Sequence, residues 1–150
     1  MKKCFKTLVA VVCAALTFGL TSCQKDAEDL IVGSWNVDKI AIELTYGEES
    51  YSQDVPFDEG ESTTMTFKKN GEIEIVNVER NSDTGELTTE TTTGTYTVKD
   101  NLLTITAEGR PSEFNIESID KNAMVLVMSE SGDYEGLPYT ETLTMTLSKK

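Results

Sequence analysis

The stretch Tyr139-Thr140-Glu141-Thr142-Leu143-Thr144-Met145-Thr146-Leu147 decides the fold class of this 150-residue chain. Its apolar residues occupy odd-numbered positions (Tyr139, Leu143, Met145 and Leu147), whereas threonines occupy the even-numbered ones. Successive side chains of a β-strand point to opposite faces, so this alternation predicts a strand with one buried and one solvated face. A strand of that kind is typical of an antiparallel sheet.

A second alternating segment turns back on itself at Asp100-Asn101. A two-residue loop there pairs Val98 with Leu103 and Tyr96 with Ile105, so all four apolar side chains share a face. Because Asp and Asn tolerate the positive φ angles of a type I′ turn, the sequence predicts a tight hairpin.

The turn at Asn70-Gly71 has two readings, and burial decides between them. A two-residue loop would set Phe67 opposite Glu74 and send Ile73 and Ile75 to the wrong face. A three-residue loop, 69–71, pairs position 67 with 73 and position 65 with 75, and Gly71 then supplies the left-handed residue of a G1 bulge. We therefore expect the three-residue loop.

Strand patterns continue along most of the chain from Leu30 onward. Apolar residues change phase between Trp35–Val37 and Ile40–Leu44, which predicts a bend or bulge near Asp38. We expect eight or nine antiparallel strands in an all-β sandwich or barrel, and one helical turn at 29–32. The acidic segment Glu48–Ser62 and the segment Gly132–Pro138 are expected to be loops.

The amino terminus has the pattern of a lipoprotein signal peptide. Lys2, Lys3 and Lys6 precede an uncharged run from Thr7 to Leu20, which is shorter than the ~20 residues of a membrane-spanning helix. The run ends in Leu20-Thr21-Ser22-Cys23, a lipobox. We predict removal of residues 1–22 and lipidation of Cys23, followed by a polar tether over 23–29 and one domain over 30–150. An ordinary signal with an incidental cysteine and an uncleaved anchor are the alternatives.

Composition limits what this domain can do. Residues 23–150 retain 10 Lys+Arg against 26 Asp+Glu, because three lysines lie in the predicted signal peptide. Such a charge repels nucleic-acid phosphates, so we expect no nucleic-acid partner. Cys23 is the last cysteine, so no disulfide is expected in the mature protein. The chain has no histidine, which removes the usual general base and the usual zinc ligand.

Carboxylates are the remaining candidates for chemistry. Asp54, Asp58, Glu59 and Glu61 could supply oxygen ligands to calcium, yet they lack the spacing of a calcium loop, as do residues 81–85. The same carboxylates could form an acid–base pair for glycoside cleavage, but nothing in the sequence brings two of them together in a cleft. We expect solvated acidic loops, no cofactor, no metal and no catalytic residue.

The chain resembles the lipocalin-like domains of Bacteroides-type lipoproteins. The resemblance rests on Gly33-Ser34-Trp35, which matches the Gly-x-Trp of the first lipocalin strand, on residues 66–71, 94–98 and 101–105, and on the final threonine-alternating strand. It implies an antiparallel meander of 8–9 strands closing into a β-barrel, with Trp35 at the closed base. In that family an arginine near the last strand commonly stacks on the tryptophan. This chain departs from the pattern, because its two arginines are Arg80 and Arg110, and Lys149 or Lys150 would have to substitute.

The resemblance also implies a function. We expect a lipoprotein anchored at Cys23 in the outer membrane of a Gram-negative bacterium and exposed at the cell surface, since Cys23-Gln24-Lys25-Asp26 resembles the export signal of such proteins. The barrel would hold a small hydrophobic or amphipathic ligand, with Phe67, Tyr96, Phe114 and Tyr139 facing its interior. The alternative is a surface interaction protein with a solid barrel, which contacts an envelope or host protein through acidic loops or a strand edge. The sequence leaves open whether the barrel is filled.

Overall fold

The computed structural model describes residues 24–150, which form one helix followed by nine antiparallel strands. The predicted signal peptide and Cys23 lie outside the described residues. The elements are α1 (Gln24–Ile31), β1 (Gly33–Tyr46), β2 (Glu49–Val55), β3 (Ser62–Phe67), β4 (Glu72–Arg80), β5 (Leu87–Lys99), β6 (Leu102–Ala107), β7 (Arg110–Ile119), β8 (Ala123–Tyr134) and β9 (Leu137–Lys149).

Eight of the strands close into a barrel because β1 pairs on both sides. The first half of β1, Gly33 to Val37, pairs with β3, and Trp35 to Tyr46 pairs with β9. The remaining strands follow in sequence order from β3 to β9. The second half of β1, from Ile40 to Tyr46, pairs with β2 instead of β3, so β2 extends the wall beside the barrel. This is the all-β barrel that the sequence predicts.

Both predicted hairpins are confirmed. Val98 pairs with Leu103 across a turn in which Asp100 and Asn101 have φ angles of 53° and 63°. Phe67 pairs with Ile73 across the three-residue loop 69–71, in which Gly71 has a φ angle of 83°. The predicted change of phase in β1 is also present, as a bulge between Val37 and Lys39.

Two predicted loops are wrong, and both are largely strand. Residues 49–55 of the expected Glu48–Ser62 loop form β2, because the long second half of β1 offers them a pairing edge. The expected loop Gly132–Pro138 is the end of the β8–β9 hairpin, in which Tyr134 pairs with Leu137 across a turn at Glu135-Gly136. Local turn residues suggested loops at both places, but the neighbouring strands determined the structure.

The helix is longer than the single turn predicted at 29–32 and includes most of the segment expected to be a tether. Ala27 and Ile31, four residues apart on one face of α1, are 2% and 0% exposed. The indole nitrogen of Trp35 donates a hydrogen bond of 2.7 Å to the carbonyl of Ile31, which satisfies a carbonyl that the helix end leaves free. Helix α1 is therefore the floor of the barrel.

The core fills the half of the barrel nearest to this helix. Trp35, Phe67, Leu103, Met124 and Leu126 are all 1% exposed or less. The other buried apolar residues are Ala27, Ile31, Val37, Met65, Ile73, Ile105, Phe114, Ile116 and Leu147. Burying a large apolar side chain contributes roughly 1.5–3 kcal/mol, so this layer is the main source of stability.

Candidate ligand site at the open end of the barrel

The end of the barrel next to α1, which we call the closed end, is sealed around Trp35. The ammonium of Lys149 lies 4.2 Å from the centroid of the indole ring and donates hydrogen bonds to the carbonyls of Leu30, at 2.9 Å, and Val32, at 2.6 Å. Burial lowers the pKa of Lys149, while the two carbonyls and the ring favour the charged form. Of the two lysines that the resemblance allowed, Lys149 is the one that stacks on the tryptophan.

Gly33 makes this arrangement sterically feasible. A Cβ atom at position 33 would lie 2.9 Å from Cε and 3.0 Å from Nζ of Lys149. Gly33 also has a φ angle of 127°, which side-chain-bearing residues rarely adopt. The Gly33-Ser34-Trp35 motif thus has a local physical reason, since the glycine clears the path of the lysine to the tryptophan.

The lower interior is filled by side chains. The aromatic rings of Phe67 and Tyr96 meet edge to face with their centroids 5.0 Å apart, and Phe114 is 8% exposed. The hydroxyl of Tyr96 donates to the carbonyl of Lys68, and its pKa is raised by burial and by the charge of Glu28. Of the four aromatic residues expected inside, Phe67, Tyr96 and Phe114 belong to this packed layer.

Above the packed layer the barrel wall opens between β7 and β8. Pairing of these strands extends from Ile119–Met124 only as far as Asn115–Val127. Beyond that point a depression of about 320 Å³ separates Ser112 and Glu113 of β7 from Met128 and Glu130 of β8. The wall of the barrel therefore has a notch between β7 and β8 at the height of Ser112 and Met128.

Inward-facing residues above the packed layer form what we call the mouth. Two residues that pair across an antiparallel ladder point to the same face of the sheet. Leu147 is buried inside the barrel, so every second residue of β9 before it, and the residues that pair with these on β1 and β8, also face inward. The mouth consists of Ile40, Ile42, Leu44, Tyr46, Ser112, Met128, Glu130, Tyr139, Glu141, Leu143 and Met145.

The mouth changes from apolar to acidic along its height. Met128 pairs with Leu143 one step above the core, and Glu130 pairs with Glu141 one step higher. These four side chains line one depression of about 110 Å³. On β1 the half-buried Ile40 and Ile42 are followed by Leu44, which is 38% exposed. A molecule entering the mouth would meet carboxylates first and apolar side chains deeper in.

Tyrosines surround the outer rim of the mouth. Tyr46 and Tyr134 have ring centroids 6.4 Å apart, and the hydroxyl of Tyr46 donates to the carbonyl of Tyr134 at 3.1 Å. The ring of Tyr139 lies across Gly132, where an added Cβ would be 2.7 Å from Cε1 of the ring. Tyr139, the fourth aromatic residue expected inside, is therefore half-buried at the rim and not in the packed core. The sequence analysis did not identify Tyr46 and Tyr134 as rim residues, because both lie beyond the predicted ends of their strands.

The wall formed by β4 and β5 is polar at the same height. Thr92 is paired with Ile75, and the next inward pair along is Asn77 with Glu90. Inward carboxylates of the open end thus include Glu79 and Glu90 on this wall, Glu130 and Glu141 on β8 and β9, and Glu49 on β2, which pairs with Tyr46. The site has an apolar side on β1, β8 and β9 and a polar side on β4 and β5.

A larger cleft of about 730 Å³ lies beside α1 at the closed end, where it reaches the inward-facing Tyr96 and Val98. Its lining includes Glu28, Asp29, Lys69 and Tyr96. We place the candidate site at the mouth, because there the apolar rows of β1, β8 and β9 continue from the core to Leu44, which is 38% exposed.

The acidic residues considered as calcium ligands are not gathered into one site. Asp54 forms an ion pair of 2.9 Å with Lys39. Glu61 accepts hydrogen bonds from the backbone nitrogens of Arg80, at 2.8 Å, and Asp58, at 2.9 Å, and these bonds lower its pKa. Within residues 24–150, no three Asp, Glu, His or Cys side chains converge where they could hold a metal ion. None of the helices within that range is both long and apolar enough to cross a bilayer.

Comparisons with known proteins agree with this geometry. The family described as "Lipocalin-like domain" matches residues 31–126. A lipocalin-like protein from Bacteroides uniformis is 17% identical over 80% of this chain and 98% of its own, with a TM-score of 0.48. Lobster apocrustacyanin A1 is 15% identical over 85% of this chain and 64% of its own, with a TM-score of 0.50. No curated protein matches the chain.

The closed antiparallel barrel with a tryptophan at its base places the protein in the class of small calyx-shaped β-barrels. Because the family match covers more than half of the residues, the chain belongs to the lipocalin-like domain family. Apocrustacyanin A1 is similar in fold, and at its level of identity it indicates the fold alone.

Proposed function

We propose that this protein is a lipid-anchored lipocalin-like binding protein, which holds a small hydrophobic or amphipathic molecule in the mouth of its barrel. Cys23 carries the anchor, and the protein stands on the outer membrane of a Gram-negative bacterium, exposed at the cell surface. It performs no catalysis. The lipobox that ends at Cys23 supports the anchor, and the lipocalin-like fold supports the binding of a small molecule.

One observation carries the binding proposal. Apolar side chains continue upward from the sealed core into an accessible space, through Met145, Leu143 and Met128 to Leu44. An exposed row of this kind on the inside of a barrel costs free energy in water, and a bound apolar group would recover it. The packed half below gives the site a rigid floor, so only the upper half is free for a ligand.

The charge of the mouth narrows the ligand chemistry. Glu130 and Glu141 stand directly opposite each other just above the apolar rows, and Glu90 lies on the facing wall. An anionic head group would be repelled at this height, whereas a neutral or cationic one would not. The hydroxyl groups of Tyr46 and Tyr139 at the rim could orient a polar head.

A matched pair of leucines tests the site. Leu44 lies in the mouth and is 38% exposed, and Leu102 lies on the outer face at the closed end and is 39% exposed. The full-length protein in mild detergent is titrated with the apolar dye N-phenyl-1-naphthylamine. We expect L44D to weaken dye binding about tenfold, which corresponds to roughly 1.4 kcal/mol, and L102D to change it less than twofold. Equal effects of the two substitutions, or no binding by the unsubstituted protein, would refute the proposed site.

A second function is favoured by the free edge of β2. Within the described residues β2 pairs with β1 alone, and all seven of its residues are exposed, including Tyr51 at 60%. An extended segment of an envelope or host protein could add to this edge through main-chain hydrogen bonds. Pull-down of a protein partner that is lost when proline replaces Ser52, with dye binding unaffected, would support this alternative over the first.

A further inference from the structure

The basic residues of the domain are concentrated at the closed end. We define the closed end as residues 27–31 of α1, the turns at 68–72, 99–102 and 119–123, and the terminal residues 148–150. This surface contains six of the ten basic residues of the mature chain against five carboxylates. The lysines are Lys68, Lys69, Lys99, Lys121, Lys149 and Lys150.

The remainder of the domain is strongly acidic. Outside the closed end and the first turn of α1, only Lys39, Arg80 and Arg110 are basic, against 20 carboxylates. The net charge of the protein therefore comes from the walls and the open end. Charge is therefore distributed unevenly along the barrel axis: the walls and the open end are acidic, whereas positive and negative charges nearly cancel at the closed end.

The lysines stand around the helix that begins next to the predicted anchor. Lys69 lines the cleft beside α1 together with Glu28 and Asp29, and Lys121 lines a depression on another side together with Leu30. Lys68, Lys69, Lys99, Lys121 and Lys150 are all exposed. Their exposed side chains can reach a surface below the barrel, although Lys68 also forms an ion pair of 3.7 Å with Glu72.

The position of α1 limits how far the closed end can stand from a lipid anchor. Ala27 is buried against the barrel floor, and four peptide units connect it to Cys23. Even fully extended, four residues span about 14 Å. An acylated Cys23 would hold the closed end of the barrel near the head groups.

We infer that the closed end of the barrel lies against an anionic membrane surface, with its ring of lysines on the lipid phosphates, and that the mouth opens away from the membrane. The inference rests on the proposed anchor at Cys23. Anionic head groups attract the lysines and repel the acidic walls, so both forces favour the same orientation. At physiological ionic strength these forces act within about 8 Å, which is the range that a short anchor enforces.

Two single-cysteine labels test the orientation on the full-length acylated protein. Asn122→Cys lies at the closed end and Ser82→Cys lies at the tip of the β4–β5 hairpin. Each is labelled with a fluorophore in vesicles of phosphatidylcholine and phosphatidylglycerol that contain a head-group quencher. We expect quenching at position 122 to exceed quenching at position 82 at least threefold. Equal quenching, or stronger quenching at position 82, would overturn the inference.

Charge variants with matched net charge test the role of the lysines. K69Q/K99Q/K121Q and S131E/T89E/T91E each lower the net charge by three, but at opposite ends of the barrel. We expect the first to reduce the difference between the two labels by half or more and the second to preserve it. An unchanged difference in the lysine variant would show that lysines do not set the orientation.

Measurement of the intact mass separates the proposed anchor from the proposed orientation. A protein without acyl chains contradicts both the anchor and the orientation. An acylated protein with equal quenching at the two positions contradicts the orientation alone.

Discussion

The side chain of Lys149 crosses the Cα of Gly33 and ends 4.2 Å above the ring of Trp35, so the last strand locks the first strand at the base of the barrel. Three groups near the start of the domain depend on this one side chain of the last strand, because its ammonium also binds the carbonyls of Leu30 and Val32 at the end of α1. The short helix α1 seals one end of the barrel because Lys149 holds the end of this helix and Trp35 together.

Removal of this contact should destabilise the fold. We expect K149A to lower the free energy of unfolding by about 1–3 kcal/mol, since it removes a cation–π contact and leaves two carbonyls without their donor. Denaturant titration followed by tryptophan fluorescence measures the change. K149R should retain most of the stability, because a guanidinium can stack on the ring and donate. K150A, whose exposed side chain has no such role, should stay within about 0.5 kcal/mol. If K149A behaves like K150A, the lock is not a stabilising contact.

Two glycines in strands should respond differently to a methyl group. At Gly94 an added Cβ would collide with the backbone carbonyl of Thr106, which the β5–β6 ladder holds in place. At Gly132 it would meet the ring of Tyr139, which can rotate away. We expect G94A to cost more than about 2 kcal/mol or to prevent folding, and G132A to cost less than about 1 kcal/mol while altering the rim of the mouth. Thermal unfolding by circular dichroism compares them, and equal costs would contradict this account.

The turn between β7 and β8 should contribute a pH-dependent stability. The carboxylate of Asp120 accepts hydrogen bonds from the backbone nitrogens of Asn122, at 2.7 Å, and Ala123, at 2.8 Å, and these bonds lower the pKa of Asp120 below 3.8, its usual value. A depressed carboxyl pKa stabilises the fold above the unfolded-state pKa, and that contribution disappears as the pH falls through the folded-state value. The wild type should therefore exceed D120A in Tm at pH 7 and lose part of this advantage by pH 2–3. D120N keeps the acceptor but not the charge, so its difference from D120A should stay constant with pH. A wild-type advantage that grows on acidification would have the wrong sign.

The mouth should distinguish ligands by the charge of their head groups. In displacement of the naphthylamine dye at low salt, dodecylamine should compete more strongly than dodecanoate by a factor on the order of three or more, because Glu130 and Glu141 stand above the apolar rows. In 1 M salt the preference should shrink. E130Q/E141Q should reduce it at low salt, whereas E108Q/E135Q, in turns at the same end, should not. A preference for dodecanoate would show that these carboxylates do not face the ligand.

Patterns of two-residue periodicity predicted the parts of the fold in which one face is buried. The phase change in β1 and the registers of Phe67 with Ile73 and of Val98 with Leu103 followed from the requirement that apolar residues share a face. β2 has no buried residue, so its sequence carries no such signal, and its pairing depends on the edge that β1 offers. The same is true of the outer β8–β9 hairpin.

The candidate site was harder to predict than the fold. The role of Lys149 could be narrowed to two residues because a basic partner for Trp35 was expected, but its hydrogen bonds to α1 depend on a helix whose sequence has only Ala27 and Ile31 to bury. The notch beside the mouth was missed, although Pro111, which lines it and has no backbone N–H to donate, lies in β7 near the point at which pairing with β8 ends. Whether a barrel is filled is a property of all its walls together.

Native mass spectrometry of the full-length protein, purified in mild detergent from its own membrane, shows whether the mouth holds a ligand. We expect a small molecule that stays bound to the wild type, is released on activation in the gas phase, and is lost in L44D but retained in L102D. A wild-type protein that carries no small molecule would contradict the claim that the mouth is a ligand site.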